Sequence, residues 1–410
     1  MVDRAARYAR RTRAFAAFTA LWWLRPTDAL WILYLLHVGW TLWQAGLAEA
    51  AFHVVSLLSD LPTGAFADRH GRRASLVAGL AAGAVFTLAI WFVAPRSVGL
   101  GVVAVGLSAL QWTFVGGADR AVLFGIVADA PAGTGGYAAA YARTMQVGYV
   151  AGAAAGIAGG LLAGPAGWLW PFAATAVTRA GAAVCLLWLP PPAAAPDVHR
   201  IGIARTLAEA WGVVRARPVL ARLTAFGAVF FLFATLNNLF GQATLHAKGA
   251  SVAGTTALIA AASLLAAGGS WLGGRLGTVR VDRVLAGASA VLATAIALVG
   301  ALPLGGAAGA FLASDGISGV ADPAYEATLN AHTPETVRAT VLSAPSTGFS
   351  LGMVALFPLT GWLLGVAPAP AVYAGLAAAV LVASLVSLRG LPASISRPVP
   401  PGVGAAVRNE

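Results

Sequence analysis

Charge is scarce in this chain. Only 10% of its 410 residues are Asp, Glu, Lys or Arg, against about 25% in soluble globular proteins. Hydrophobic residues make up 59%, more than a soluble core absorbs, so a soluble or disordered class is excluded. Lys248 is the one lysine, the remaining bases being arginine, and Cys185 is the one cysteine. A lone cysteine rules out an intramolecular disulfide and a cysteine-cluster metal site. No GxxxxGK[ST] loop is present, so nothing points to a nucleotide-driven pump. Histidines and acids are dispersed over the separate apolar runs, without metal-ligand spacing or a Ser, His and Asp arrangement, so no enzymatic activity, metal or cofactor is expected. A net charge of +11 raises the question of nucleic acid. The arginines stand at the ends of apolar runs, without the basic and aromatic face that a polyanion needs, so anionic lipid is the expected partner and nucleic acid is not.

What is present is a series of apolar runs, near residues 14–36, 44–66, 74–94, 98–127, 138–162 and 168–189, then 219–243, 252–274, 281–303, 305–330, 339–365 and 370–389. Each approaches the roughly 20 residues needed to span a bilayer. Arginine dominates the tails and the even-to-odd connections, whereas Arg96 and Lys248 alone mark the opposite face. By the positive-inside rule both termini are cytoplasmic. The arginine-rich start is not read as a signal peptide, because no small-residue cleavage site follows and the apolar run continues past Arg25 to Leu36. The expected fold class is an all-α membrane protein of twelve transmembrane helices in two pseudo-symmetric six-helix halves. The expected order is a basic tail (1–13), a first bundle (14–189), a cytoplasmic linker (190–218), a second bundle (219–389) and a tail (390–410). Leu207, Trp211 and Val214 fall on one stripe within the linker, the pattern of an interfacial helix.

Residues 64–73 read Gly-Ala-Phe-Ala-Asp-Arg-His-Gly-Arg-Arg. This places Asp68, Arg69, Arg72 and Arg73 between two apolar runs, with Gly64 suited to close helix approach and Gly71 to a positive-φ reversal. A local ionic clamp of Asp68 with the arginines is expected. The decapeptide resembles the loop between helices 2 and 3 of the major facilitator superfamily. Internal repetition fits two like halves: Asn237 and His246 match Asp28 and His37 when Arg222 is laid on Arg13, and residues 117–121 echo 320–324. A second counterpart of the decapeptide, Ser270 to Gly277, has lost the aspartate. The resemblance implies substrate between two halves related by an axis along the membrane normal.

Intramembrane charge is costly and marks candidate sites. Arg25 and Asp28 flank Pro26 in the first span and are spaced either to neutralise each other or to face a wet cavity. Glu49 and His53, four apart, form a candidate proton-binding pair. Asp119 and Arg120 in the fourth span and Arg143 in the fifth are gate candidates, with Asp119 and Arg143 expected at one depth as a brace. Asp315, Asp322 and Glu326 in the tenth span outnumber nearby Arg338 and favour a cation or proton role, Asp315 being nearest mid-membrane, with the others as gate candidates. Asn237, Asn238 and Gln242 are candidate ligand-bonding groups beside Phe230, Phe231 and Phe233. Arg179 is deep and has no local partner in sequence. Gly148, Gly152, Gly156, Gly159 and Gly160 form a small-residue face, which resembles the glycine-rich helix 5 of the superfamily's drug and proton antiporters. That motif's proline is missing, and Trp112 stands where those antiporters carry a base.

The resemblance implies a secondary transporter acting by alternating access, with proton-coupled efflux of an amphipathic or cationic compound as the first expectation. Proton-coupled uptake of a nutrient-like solute is the alternative, and a non-transporting receptor or scaffold the alternative of another class. The expected partners are a small-molecule substrate, protons and the bilayer, and the chain is expected to act as a monomer in the cytoplasmic (inner) membrane.

Overall fold

A computed structural model of the chain describes residues 2–128, 137–163, 167–189, 215–275, 280–333 and 338–389, together with 130, 212 and 391. Every regular element among them is helical. In chain order these are α1 (Val2–Trp23), α2 (Trp31–His37), α3 (Leu42–His70), α4 (Arg72–Val93), α5 (Val98–Ser108), α6 (Leu110–Val115), α7 (Ala118–Ala128), α8 (Tyr137–Ala163) and α9 (Leu169–Cys185). After the linker come α10 (Pro218–Ala247), α11 (Val252–Gly273), α12 (Val281–Ala301), α13 (Leu304–His332), α14 (Arg338–Val366) and α15 (Ala369–Leu388). The linker stripe at Leu207, Trp211 and Val214 lies outside the described residues, as does nearly all of the C-terminal tail.

Among the described residues, ten helical stretches are long and apolar enough to cross a membrane. The two further expected spans, 14–36 and 305–330, are those that carry Arg25 with Asp28 and Asp315 with Asp322 and Glu326. The chain forms two compact units. The first comprises 1–199 with 250–261 and 353–365, the second 200–249 with 262–352 and 366–410. The start of α11 and the end of α14 group with the first unit.

Three sequence expectations change. The basic N-terminus is not a separate tail, because α1 already begins at Val2. The first apolar run is not one helix: it stops at Trp23 and restarts at Trp31. Pro26 supplies the cause, since proline has no N–H to donate and its ring disfavours helix at the preceding residue. The fourth run is also interrupted, with α6 ending before Gly116 and Gly117, the latter at φ +80°.

In the first unit the core joins Phe15, Phe18 and Trp22 of α1 to Leu76 and Leu80 of α4, Val115 of α6 and Leu186 after α9. Around α2, Tyr34 packs on Phe172 with ring centroids 4.7 Å apart. The Tyr34 hydroxyl donates to the Trp91 carbonyl at 2.6 Å and Trp40 Nε1 to the Ala94 carbonyl at 3.0 Å, closing the end of α4. The glycine face of α8 lies against the α1–α2 break: a Cβ at Gly159 would come within 3.1 Å of the Pro26 carbonyl carbon, and one at Gly160 within 2.9 Å of Ala253 Cα. Gly152, on the same helix, has open space.

In the second unit Phe230 is fully buried and stacks at 5.3 Å on Phe226, which meets Tyr325 of α13, so Phe230 belongs to a packed core and not to a cavity wall. Gly269 and Gly273 of α11 admit the α13 backbone at Val320, each within 3.0 Å of where a Cβ would stand.

Candidate functional site

The α3–α4 reversal is one residue long. Helix α3 continues through Gly64 to His70, Gly71 takes φ +90°, and Arg72 begins α4. A Cβ at Gly64 would meet nothing within 4 Å, so Gly64 is not a close-approach point here. The local clamp does not form: Asp68 and Arg69 are exposed, and Arg72 instead donates through Nη1 to the Ala121 carbonyl of α7 at 3.3 Å. Arg73 is partly buried at the start of α4. The motif therefore ties α4 to α7 through a backbone carbonyl.

The Asp119–Arg143 brace is not formed either. Asp119 Oδ1 accepts from the Arg120 backbone N–H at 2.7 Å, and Arg143 is exposed on α8. The interruption at Gly116–Gly117 makes Asp119 a first-turn residue of a new helix, where a carboxylate meets free N–H groups. Counting depth along one unbroken helix misplaces it. Arg120 reaches toward the Tyr141 ring at 6.0 Å.

Proline at position 26 leaves the Trp22 carbonyl without its i+4 donor. Helix α9 repairs the break with residues spaced three and four apart. Arg179 Nη1 donates to the Trp22 carbonyl at 2.7 Å, and Thr178 Oγ1 donates to the Leu24 carbonyl at 2.9 Å. Thr175 Oγ1 receives the Thr27 N–H at 3.3 Å and lies 3.1 Å from Thr27 Oγ1. Arg179 is fully buried, and its Nη2 also donates to Gln111 Oε1 at 3.1 Å. A Cβ at Gly83 would stand 2.8 Å from that amide oxygen and 3.0 Å from Arg179 Nε, so glycine there makes room for the pair. Inside a membrane, backbone groups freed by a break need internal partners, and Arg179 is one of them.

Beside this repaired break lies a cavity of about 180 Å³ within the first unit. Thr27, Asp28 and Trp31 line it from the break and α2, Glu49 and Phe52 from α3, Thr87 and Ile90 from α4, and Val105 and Ser108 from α5. Gln111 and Trp112 of α6 and Phe172, Thr175 and Arg179 of α9 complete the wall. Asp28 is the open charge: its side chain is 50% exposed, whereas that of Arg25, with Nε 2.8 Å from Asp28 Oδ2, is 5% exposed. That N–H is not aligned as a hydrogen bond, and Arg25 Nη1 also lacks a partner. The Arg25 guanidinium lies among indoles, 4.2 Å from the Trp112 ring centre, 5.2 Å from Trp23 and 5.4 Å from Trp22. Across the wall, Glu49 Oε1 sits 3.4 Å from His53 Nε2.

In the second unit the predicted polar residues bond one another. Asn237 Nδ2 donates to Ser314 Oγ at 2.8 Å, Asn238 Nδ2 to Asp315 Oδ1 at 3.1 Å, and Gln242 Nε2 to Asn238 Oδ1 at 3.2 Å. Asn237 Oδ1 and Gln242 Oε1 are buried without a hydrogen-bond partner. Asp322 and Glu326 are exposed about two and three turns beyond Asp315 along α13, and the side chain of Arg338 lies outside the described residues.

Sequence reading thus located Asp28, Glu49 and His53 and missed Gln111, Trp112, Thr175, Thr178 and Arg179 as their neighbours. The usable signal was Pro26, which requires a foreign donor for the carbonyl four residues earlier.

A comparison with curated protein sequences finds no match. Among solved structures, a mutant of the nucleoside transporter NupG aligns with TM-score 0.78 at 12% identity, over 93% of this chain and 99% of that one. A mutant of the peptide transporter POT in complex with sulfate gives 0.72 at 13%, over 95% of each chain. A bacterial homolog of the human lysosomal transporter Spinster, inward-facing and unoccupied, gives 0.66 at 16%, over 94% and 95%. At these identities the likeness is one of fold. The family model described as Major Facilitator Superfamily matches residues 14–314, and the chain belongs to that superfamily of membrane transporters.

Proposed function

We propose that this protein is a proton-coupled secondary transporter that exports a small organic cation or amphipathic base by alternating access. In this reading the chain crosses the cytoplasmic membrane twelve times, the two charged stretches included, with both termini in the cytoplasm, and works as a monomer. The observation that carries the substrate class is the cavity of the first unit. Its open charge is the Asp28 carboxylate, Glu49 is its second acid, and Trp31, Phe52, Trp112 and Phe172 supply flat apolar walls. Carboxylates framed by aromatic rings attract cations through charge and ring quadrupole together. Arg179 lines the same wall with its positive charge, and its N–H groups are turned to the Trp22 carbonyl and Gln111, which leaves Asp28 as the exposed group. A proton and an organic cation would compete for Asp28 and for the Glu49–His53 pair, and such competition couples their opposite movements.

Purified protein in proteoliposomes tests this reading. Efflux of a fluorescent organic cation should accelerate when the opposite side is acidified, and Asp28→Asn should lower that flux at least tenfold or flatten its pH profile. Normal flux in Asp28→Asn at every pH would reduce Asp28 to a structural partner of Arg25. A second reading, proton-coupled uptake of a polar solute, draws on the hydroxyl and amide groups of Thr27, Ser108, Gln111 and Thr175 in the same wall. It is supported if proton flow and solute flow share a direction.

A further inference from the structure

Arg25 is held in an unusual way for a buried cation. Its guanidinium lies near three indoles, closest to Trp112, which stands edge-on to Trp22 at 77° and to Trp23 at 79°, while the Trp22 ring is shared with Arg179 at 4.2 Å. Among the described residues its ionic partner is Asp28, met by proximity and not by an aligned hydrogen bond. Two of its three guanidinium nitrogens, Nε and Nη1, are buried with no hydrogen-bond partner. A guanidinium carries five donors, and leaving buried donors unmet is costly. The corner therefore accepts the shape and charge of the group and leaves its hydrogen bonding unfinished. Trp112 and Asp28 both line the cavity, so the corner adjoins the space open to a solute. The break between α1 and α2 lies one residue away at Pro26, its backbone held by α9, so any displacement of the guanidinium falls to the rotatable bonds of the Arg25 side chain.

We propose that the Trp22–Trp23–Trp112 corner with Asp28 is the subsite for the cationic head of the solute, of guanidinium or alkylated ammonium type, and that Arg25 occupies it as a tethered stand-in until the solute displaces it. The inference rests on the cation-transport reading and adds a residue-level competitor to it. Arg25 then sets affinity: a solute has to outbid an attached guanidinium, so weakly charged or neutral molecules fail to load. Pairing with Asp28 alone would not require three indoles within 5.4 Å.

The test uses the full chain purified in detergent, with benzylguanidinium and its neutral counterpart benzylurea as probes and ligand-induced thermal stabilisation as the readout. Arg25→Gln removes the tethered competitor, and benzylguanidinium should bind about tenfold more tightly, while benzylurea binds no better than to the wild type. Freeing Asp28 would by itself favour a cation, so Trp112→Leu is added to the Arg25→Gln background. Loss of the gain there assigns it to the indole corner. Unchanged or weaker benzylguanidinium binding in Arg25→Gln, an equal gain for benzylurea, or a gain that survives Trp112→Leu would each overturn the proposal. Should Arg25→Gln not purify as a monodisperse species, Trp112→Leu in the otherwise native chain decides. About tenfold weaker benzylguanidinium binding supports the subsite, and unchanged binding removes it. Binding without flux in proteoliposomes would defeat the transport reading while leaving the subsite standing. Flux without any charge preference at the corner would do the reverse.

Discussion

The first helix of each unit begins from a similar pattern and ends in a different structure. Asp28 and Asn237 coincide when Arg222 is laid on Arg13 in the sequence, yet α1 and α2 are separated by a seven-residue break whereas α10 runs unbroken for 30 residues. On the broken side a carboxylate is half exposed to a cavity. On the continuous side an uncharged amide is fully buried and spends its N–H on Ser314. The difference teaches that a break, more than a charge, creates the site. Proline frees backbone groups, a neighbouring helix has to satisfy them, and the space left between the two ends is polar.

The sharpest way to break that comparison is to give the continuous side the same charge. Asn237→Asp should cost about 3 kcal/mol, the order of an unpaired intramembrane carboxylate, seen as a large fall in thermal stability or in folded yield. A variant as stable as wild type would show that Asn237 has water access like Asp28. The glycine face of α8 gives the next effect. Gly159→Ala forces a methyl against the Pro26 carbonyl and should lose about 1–3 kcal/mol, while Gly152→Ala, in open space, should be neutral. Equal losses from both would mean that α8 does not press on the break. Smaller again, Gly71→Ala places a side chain at φ +90° and should cost about 1–2 kcal/mol. The smallest stability effect is predicted for Asp68→Asn, within about 0.5 kcal/mol because Asp68 is exposed. Flux is the informative readout there: a fall at unchanged stability assigns Asp68 to the switching step, and wild-type flux removes it from the mechanism.

Helix positions were legible because a bilayer demands long apolar runs, and ten of the expected stretches meet that demand. The positive-φ reversal at Gly71 was legible from a glycine between two apolar runs, although both helices reach further toward it than those runs do. The Arg25–Asp28 and Glu49–His53 pairs were legible too, since residues three and four apart share a helix or turn face. Arg179 was not, because its partner is a backbone carbonyl 157 positions earlier, and no side-chain pattern encodes a carbonyl. The Asp119–Arg143 brace was misread for a related reason. Gly116 and Gly117 reset the helix, and depth counted across them no longer applies. In both cases the missing information lay in backbone breaks, which proline and glycine announce without saying what fills them.

The single-residue reversal at Gly71 has a mechanical side. Two helices of 29 and 22 residues meet with one linking residue, so the hinge has no free play. Neither rod can slide a turn along the other, because one linking residue spans less than a helical turn, and Arg72 fastens the start of α4 to the carbonyl of Ala121. Splicing a few flexible residues in after Gly71 would act like a slipped clutch, leaving both rods whole and their motions uncoupled.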